Sequence, residues 1–243
     1  MSATDEKAAS VRRLDVEIWT DLICPWCGIG ERRFEQALRE FEHRDRVRVF
    51  PRAYRLMPDY AAQSVNTVLV EKYEMLPEEI APGLKKLEDA ALGEGLVYRL
   101  ADSYAGDTMD GHRLIKKARQ QGIGDAVYER LYMACMAEQA RFFDHDELRK
   151  LCLEAGMDRG AIDEVLAGSA FREDVLADES RMRGFGGRAA PFFVINGSLT
   201  YAGALEPSIF VAALRKAWQQ GEKEEQQAST ISGDGCGPDG CLI

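Results

Sequence analysis

Long apolar runs are missing from this chain, and so is any excess of positive charge. No stretch of about 18 apolar residues occurs, which excludes a membrane-spanning helix. Residues 1–13 hold no apolar core of the kind a secretory signal needs, so they read as a flexible terminus and the expected location is cytoplasmic. Lys and Arg total 31 against 41 Asp and Glu, a formal net charge of −10. That balance argues against nucleic acid or a membrane surface as the main partner, because phosphate binding relies on basic patches. The one arginine-rich stretch, Arg44, Arg46, Arg48, Arg52 and Arg55, alternates like a strand and reads as a solvated strand face. Histidine is scarce, with three in 243 residues. His112 is the natural candidate for acid–base work, but no companion is placed beside it and it reads as a structural, hydrogen-bonded residue. His43 and His145 sit in polar stretches and read as solvated.

What remains is an ordinary globular composition, 46% apolar and 30% charged, long enough for one large domain or two modest ones. Its organising feature is Cys24-Pro25-Trp26-Cys27. The preceding Leu14 to Thr20 alternates apolar and polar residues and is rich in β-branched and aromatic side chains, so it predicts a strand. Beyond the motif, Phe34, Leu38 and Phe41 recur at helical spacing. The two cysteines thus fall where a strand gives way to a helix, with Cys24 at the N-cap and Pro25 at the first helical position, where a missing N–H costs nothing.

A helix N-terminus exposes unpaired N–H groups and partial positive charge, which favour a thiolate over a thiol. Cysteines so placed have pKa values depressed to anywhere in roughly 3.5–7.5. The expectation is an exposed nucleophile at Cys24 and a buried resolving thiol at Cys27. Half of a four-cysteine zinc site has the same spacing, and an inert pair is a third reading. Pro-Trp opening a helix after a strand fits redox chemistry better. Cys135 continues the apolar face of Val127 and Leu131, and Cys152 that of Leu148, Leu151 and Ala155, so both read as core residues.

The motif in this setting resembles the thioredoxin superfamily, and within it the DsbA-like branch. Ala190-Pro191-Phe192-Phe193-Val194-Ile195-Asn196-Gly197 resembles that family's cis-proline loop and following strand, and Tyr201-Ala202-Gly203-Ala204 its last strand. Asp110-Gly111-His112-Arg113-Leu114-Ile115 resembles a helix opening of the FrnE-like subgroup. The resemblance implies an α/β thioredoxin-like fold with a large inserted helical domain. Residues 14–62 and 188–220 would form the thioredoxin-like part and 63–187 the insertion. A second strand over Val47 to Leu56 would run parallel to the first, with Pro51 marking an edge or bulge. The resemblance also implies a cis bond before Pro191 and client binding at Trp26, Ala190 and Pro191, with the Ala190 backbone pairing with an extended client. DsbA proteins often carry a buried acid six positions before the first cysteine, where this chain has Ile18. Glu17, next to it, should face the other side of the strand. The proton acceptor for Cys27 is thus unassigned.

Phe210, Leu214, Ala217 and Trp218 form the stripe of a final helix, beyond which 221–243 reads as a flexible terminus. That terminus ends in Cys236-Gly237-Pro238-Asp239-Gly240-Cys241, whose turn chemistry brings the two cysteines within bridging distance. A tether of about 15 residues reaches roughly 20 Å. The tail pair is expected to serve as an accessory redox pair for Cys24 or for clients. Metal capture, by the tail pair alone or with Cys24 and Cys27, and an uninvolved tail are the alternatives.

The activity implied is that of a protein thiol–disulfide oxidoreductase or isomerase with no tightly bound cofactor and no resident metal. Its partners would be disulfide- or dithiol-containing client proteins and a small-thiol or thioredoxin-type electron donor. A kappa-type glutathione-dependent isomerase or transferase and a thiol-based metal-binding stress protein are the other readings. The intact cysteine pair counts against the kappa type, which typically has serine where Cys24 stands.

Overall fold

The alternating segment at the start of the chain forms β1 (Leu14–Thr20), followed by α1 (Pro25–Glu40) and the parallel strand β2 (Val47–Ala53). These belong to a computed structural model that describes residues 12–233. A short pair, β3 (Gln63–Ser64) and β4 (Tyr104–Ala105), frames α2 (Val65–Glu71) and α3 (Pro77–Gly93). Then come α4 (Met109–Gln120), α5 (Gly124–Met136), α6 (His145–Glu154), α7 (Arg159–Ala167) and α8 (Arg172–Gly184). The chain closes with β5 (Phe192–Ile195), β6 (Leu199–Ala202) and α9 (Pro207–Gly233).

The main sheet has the order β2-β1-β5-β6, with β5 antiparallel to both neighbours. Pro51 thus lies on an edge strand, where its lack of an N–H is tolerated. Side chains of β1 divide by parity. Leu14, Val16 and Ile18 pack with Phe34 of α1, with Phe41 at its C-cap, and with Phe210 and Leu214 of α9. Trp19, on the opposite face, packs with Met182 of α8 and with Phe192 and Val194. The sheet is therefore covered on one face by α1 and α9 and on the other by α8.

The arginines of β2 are not a uniformly solvated face. Arg48 does pair with Asp15 in the open, but Arg52 reaches Glu17 at 2.8 Å and Asp178 of α8 at 3.2 Å. Arg55, just past the end of β2, which stops at Ala53 and not at Leu56 as expected, is buried between Glu179 at 2.7 Å and Asp107 at 3.0 Å. Acidic residues of α8, distant in sequence, turn this strand's outer charges into a fastening. Glu17 faces that side, as its parity requires. Burial raises its pKa, but Arg181 and Arg52 outweigh that and hold it below the usual carboxylate range.

The final helix corrects another expectation. It runs on to Gly233, through a stretch expected to be a flexible terminus from residue 221. Glu222 to Glu225 are strong helix formers, and polarity on an exposed helix does not unwind it. Arg12 anchors this extension, pairing with Glu222 at 3.0 Å and with Glu225, while its guanidinium lies 5.0 Å from the Trp218 ring centre. The reach of a 15-residue flexible tether, roughly 20 Å, accordingly does not apply. Cys236 and Cys241 lie outside the described residues.

Candidate active site

Cys24 is the N-cap of α1, with the extended backbone an N-cap needs (φ −97°, ψ 106°) and no capping bond from its side chain. Pro25 occupies the first helical position, and the Cys27 N–H donates to the Cys24 carbonyl at 3.0 Å. The four-residue motif thus forms the opening turn of the helix, and both cysteines are unbonded thiols. Cys27 is completely enclosed. Burial, followed by its pairing with Cys24, pushes its thiol well above the ordinary value.

The expectation of an exposed Cys24 needs correction, since only 3% of the residue is accessible. It sits at a junction instead of a free surface. Leu22, Cys24, Cys27 and Ile29 belong to the same apolar core as α3, α4, α5 and α6 of the helical block. The Cys24 thiol lies 3.4 Å from the Ala190 carbonyl, which accepts from it. Cys24 lines a cavity of about 330 Å³ together with Trp26, Leu56, Val68, Leu69, Tyr73 and Ala190, among others. No charged side chain lines it among the described residues. Trp26 stands at its rim, 43% exposed.

Three polar groups fix the turn from outside it. Tyr132 of α5 donates to the Cys24 carbonyl and accepts the Gly28 N–H, each at 2.9 Å. Tyr98 adds its hydroxyl 2.9 Å from that of Tyr132. These phenols approach so closely that a Cβ at position 28 would collide with both, which is why glycine stands there. Asp21, fully buried, offers its backbone N–H to the Cys27 sulfur at 3.4 Å. Its carboxylate accepts from Thr108 (2.7 Å) and the Leu56 N–H (2.7 Å), and His112 Nε2 lies 3.3 Å away. His112 is therefore a buried partner of Asp21, the hydrogen-bonded role expected for it.

The bond between Ala190 and Pro191 is cis, and the loop lies directly across from Cys24. With this geometry, the DsbA-like thioredoxin domain matches residues 15–215 of the chain. A solved protein from Streptomyces coelicolor, described as a probable DsbA oxidoreductase, is 35% identical with a TM-score of 0.81, covering 95% of this chain and 99% of its own. The chain belongs to the DsbA-like thioredoxin family. It is thereby a thiol–disulfide oxidoreductase. Other solved proteins share the fold at lower identity. Cytosolic disulfide reductase DsbM from Pseudomonas aeruginosa, solved with GSH, is 16% identical (TM-score 0.55, covering 87% of this chain and 99% of that one). Wolbachia pipientis α-DsbA1 is 11% identical (TM-score 0.56, covering 88% and 89%). No curated protein sequence matches the chain.

Of the site residues expected from sequence, Cys24, Trp26 and Ala190 line one cavity, Cys27 lies buried on the same helical turn, and Pro191 follows Ala190 across the cis bond. Cys135 and Cys152 are buried in the helical core, as expected. Sequence reasoning missed Asp21, Tyr98 and Tyr132. Asp21 carried a signal, being an acid set between an apolar strand and the cysteine motif. The two tyrosines carried none, because they reach the motif only through the packing of the helical block.

Proposed function

We propose that Cys24 is the nucleophile and Cys27 the resolving thiol of a cytoplasmic protein disulfide reductase or isomerase of the FrnE-like subgroup. The observation that carries this reading is the asymmetry of the pair. Cys24 faces an open cavity across from the Ala190–Pro191 loop, while Cys27 lies closed behind it with a raised pKa. Attack by Cys24 on a client disulfide gives a mixed disulfide, and Cys27 then displaces the client thiolate. Trp26, Ala190 and Pro191 form the contact surface for the client. The uncharged cavity suits an apolar client side chain better than glutathione, whose two carboxylates and ammonium would find no charged partner there. A small thiol or a thioredoxin-type protein returns the electrons. The helix opening at Asp110 supports the subgroup, since His112 from that segment reaches Asp21 behind Cys27. No described helix is long and apolar enough to cross a membrane.

Trapping tests the roles. Cys27→Ser accumulates a mixed disulfide with a reducible client such as insulin, seen as a dithiothreitol-sensitive mass adduct on Cys24, and iodoacetamide at pH 6 labels Cys24 of the native protein first. Preferential labelling of Cys27, or adducts on Cys27, reverses the assignment. The tail pair, Cys236 and Cys241, acts in this reading as an accessory redox pair for Cys24. Its double serine variant is expected to lose several-fold in steady-state insulin turnover while keeping single-turnover reduction. Unchanged turnover with lost zinc or cadmium binding would assign the tail to metal instead.

A further inference from the structure

An α-helix ordinarily closes its first turn with a bond from the N–H of one residue to the carbonyl four residues earlier. In α4 that bond runs from His112 to the Thr108 carbonyl at 3.0 Å. The matching groups in α1 are the Gly28 N–H and the Cys24 carbonyl, and here a side chain stands between them. The Gly28 N–H donates to the Tyr132 hydroxyl, which in turn donates to the Cys24 carbonyl, each at 2.9 Å. The Cys24 carbonyl keeps a backbone donor one residue nearer, the Cys27 N–H at 3.0 Å. The motif therefore opens as a 3₁₀ turn, the form in which side chains three residues apart eclipse one another. Those two side chains are Cys24 and Cys27.

The inserted phenol is held on several sides. Tyr132 is buried on α5, its ring stacked on Tyr128 with centres 5.7 Å apart and met edge-on by Tyr98 at 6.2 Å. The Tyr98 hydroxyl lies 2.9 Å from that of Tyr132 and donates to the Pro25 carbonyl at 3.3 Å. A phenol has one hydrogen to give, and Tyr132 gives it to Cys24 while taking the Gly28 N–H on a lone pair. Burial pushes its pKa well above the ordinary value, so it stays a donor at neutral pH.

We propose that Tyr132 is a positioning residue for the redox pair. By holding the Gly28 N–H off the Cys24 carbonyl, it keeps the motif turn in the form that sets Cys27 over Cys24, and so favours closure of their bond. This rests on the assignment of Cys24 and Cys27 made above. In the resolving step the Cys27 sulfur attacks the Cys24 sulfur of the mixed disulfide. The bond between Cys24 and the client breaks, the Cys24–Cys27 bond forms, and the client leaves with the electron pair and takes up the proton that Cys27 gives up. The protein's two thiols are oxidised and the client disulfide is reduced. Without the hydroxyl, the Gly28 N–H is free to take the Cys24 carbonyl directly. The turn then passes to α-helical spacing, at which residues three apart are offset by about 60° around the axis.

The test uses the full chain with Cys236→Ser and Cys241→Ser, equilibrated in buffers of reduced and oxidised glutathione. Protein dithiol and oxidised glutathione give the Cys24–Cys27 disulfide and two molecules of reduced glutathione, read by mass after acid quenching and alkylation. Tyr132→Phe is expected to lower this equilibrium constant about tenfold, which raises the reduction potential of the pair by about 30 mV. Packing lost equally from both forms cancels in this quantity. Tyr98→Phe leaves the two backbone bonds of the Tyr132 hydroxyl in place and should stay within about twofold of the parent. An unchanged or increased constant in Tyr132→Phe overturns the proposal, as does an equal fall in Tyr98→Phe. A parent that forms no Cys24–Cys27 disulfide in any of these buffers would instead defeat the assignment of the pair.

Discussion

Cys24→Ser should be inactive in insulin reduction, with a rate at least about 10³-fold below the native protein, while remaining as stable or slightly more so. The loss follows from removing the atom that forms the covalent intermediate; a serine hydroxyl at neutral pH is not an alternative nucleophile for a disulfide. The retained stability follows from position. Cys24 caps α1 without making a side-chain capping bond, and serine is among the residues preferred at that place. A hydroxyl there can accept from an N–H of the first turn, worth about 1 kcal/mol at most in a site so enclosed. Insulin turbidity and urea denaturation, measured on the same preparation, check both halves. An active variant would remove the proposed mechanism, whereas an inactive variant that had also unfolded would leave the loss unexplained by chemistry.

The second large effect concerns the join between sheet and helices. Asp178 of α8 is buried, and its carboxylate takes Arg52 at 3.2 Å, Lys116 at 2.5 Å and the backbone N–H of Ala53 at 3.0 Å. Its own carbonyl accepts from the Trp19 indole at 2.8 Å. Asp178→Ala removes the centre of this network and leaves the partly buried Lys116 and the buried Ala53 N–H without this acceptor, while Arg52 keeps only Glu17. Breaking a buried pair in this way costs about 3–5 kcal/mol. At about 2–4 °C per kcal/mol for a chain of this size, the midpoint should fall by roughly 10 °C. Asp15→Ala provides the contrast. It removes an exposed pair with Arg48 and should cost about 1 kcal/mol or less. If the two variants melt together, the fastening of β2 to α8 is not what holds this edge of the sheet.

Neither Asp178 nor its partners could be linked from sequence. The arginines of β2 were visible as an alternating row, and solvent was the simplest expectation for them. What makes Arg52 and Arg55 structural is the arrival of Asp178 and Glu179 from more than 120 residues away. The same holds at the site. A strand, a proline at the first helical position and two cysteines one turn apart are local matters, and they form where the residue pattern puts them. The burial of Cys24 is not local, because the helical block closes over the motif turn. The end of α9 shows the converse. Its polar composition suggests a flexible segment, yet its glutamates favour helix and Arg12 holds two of them.

By itself, the sequence determined the order of elements, the placing of Cys24 and Cys27 on an opening helical turn, and the proline loop after the helical block. These depend on periodicity, caps and proline geometry, which act over a few residues. The tertiary structure decided which polar groups of the helical block meet the motif: Tyr98 and Tyr132 on the turn, and His112 on Asp21 behind Cys27. Those contacts join residues far apart along the chain, and only the packing of the helical block against α1 brings them within hydrogen-bonding range.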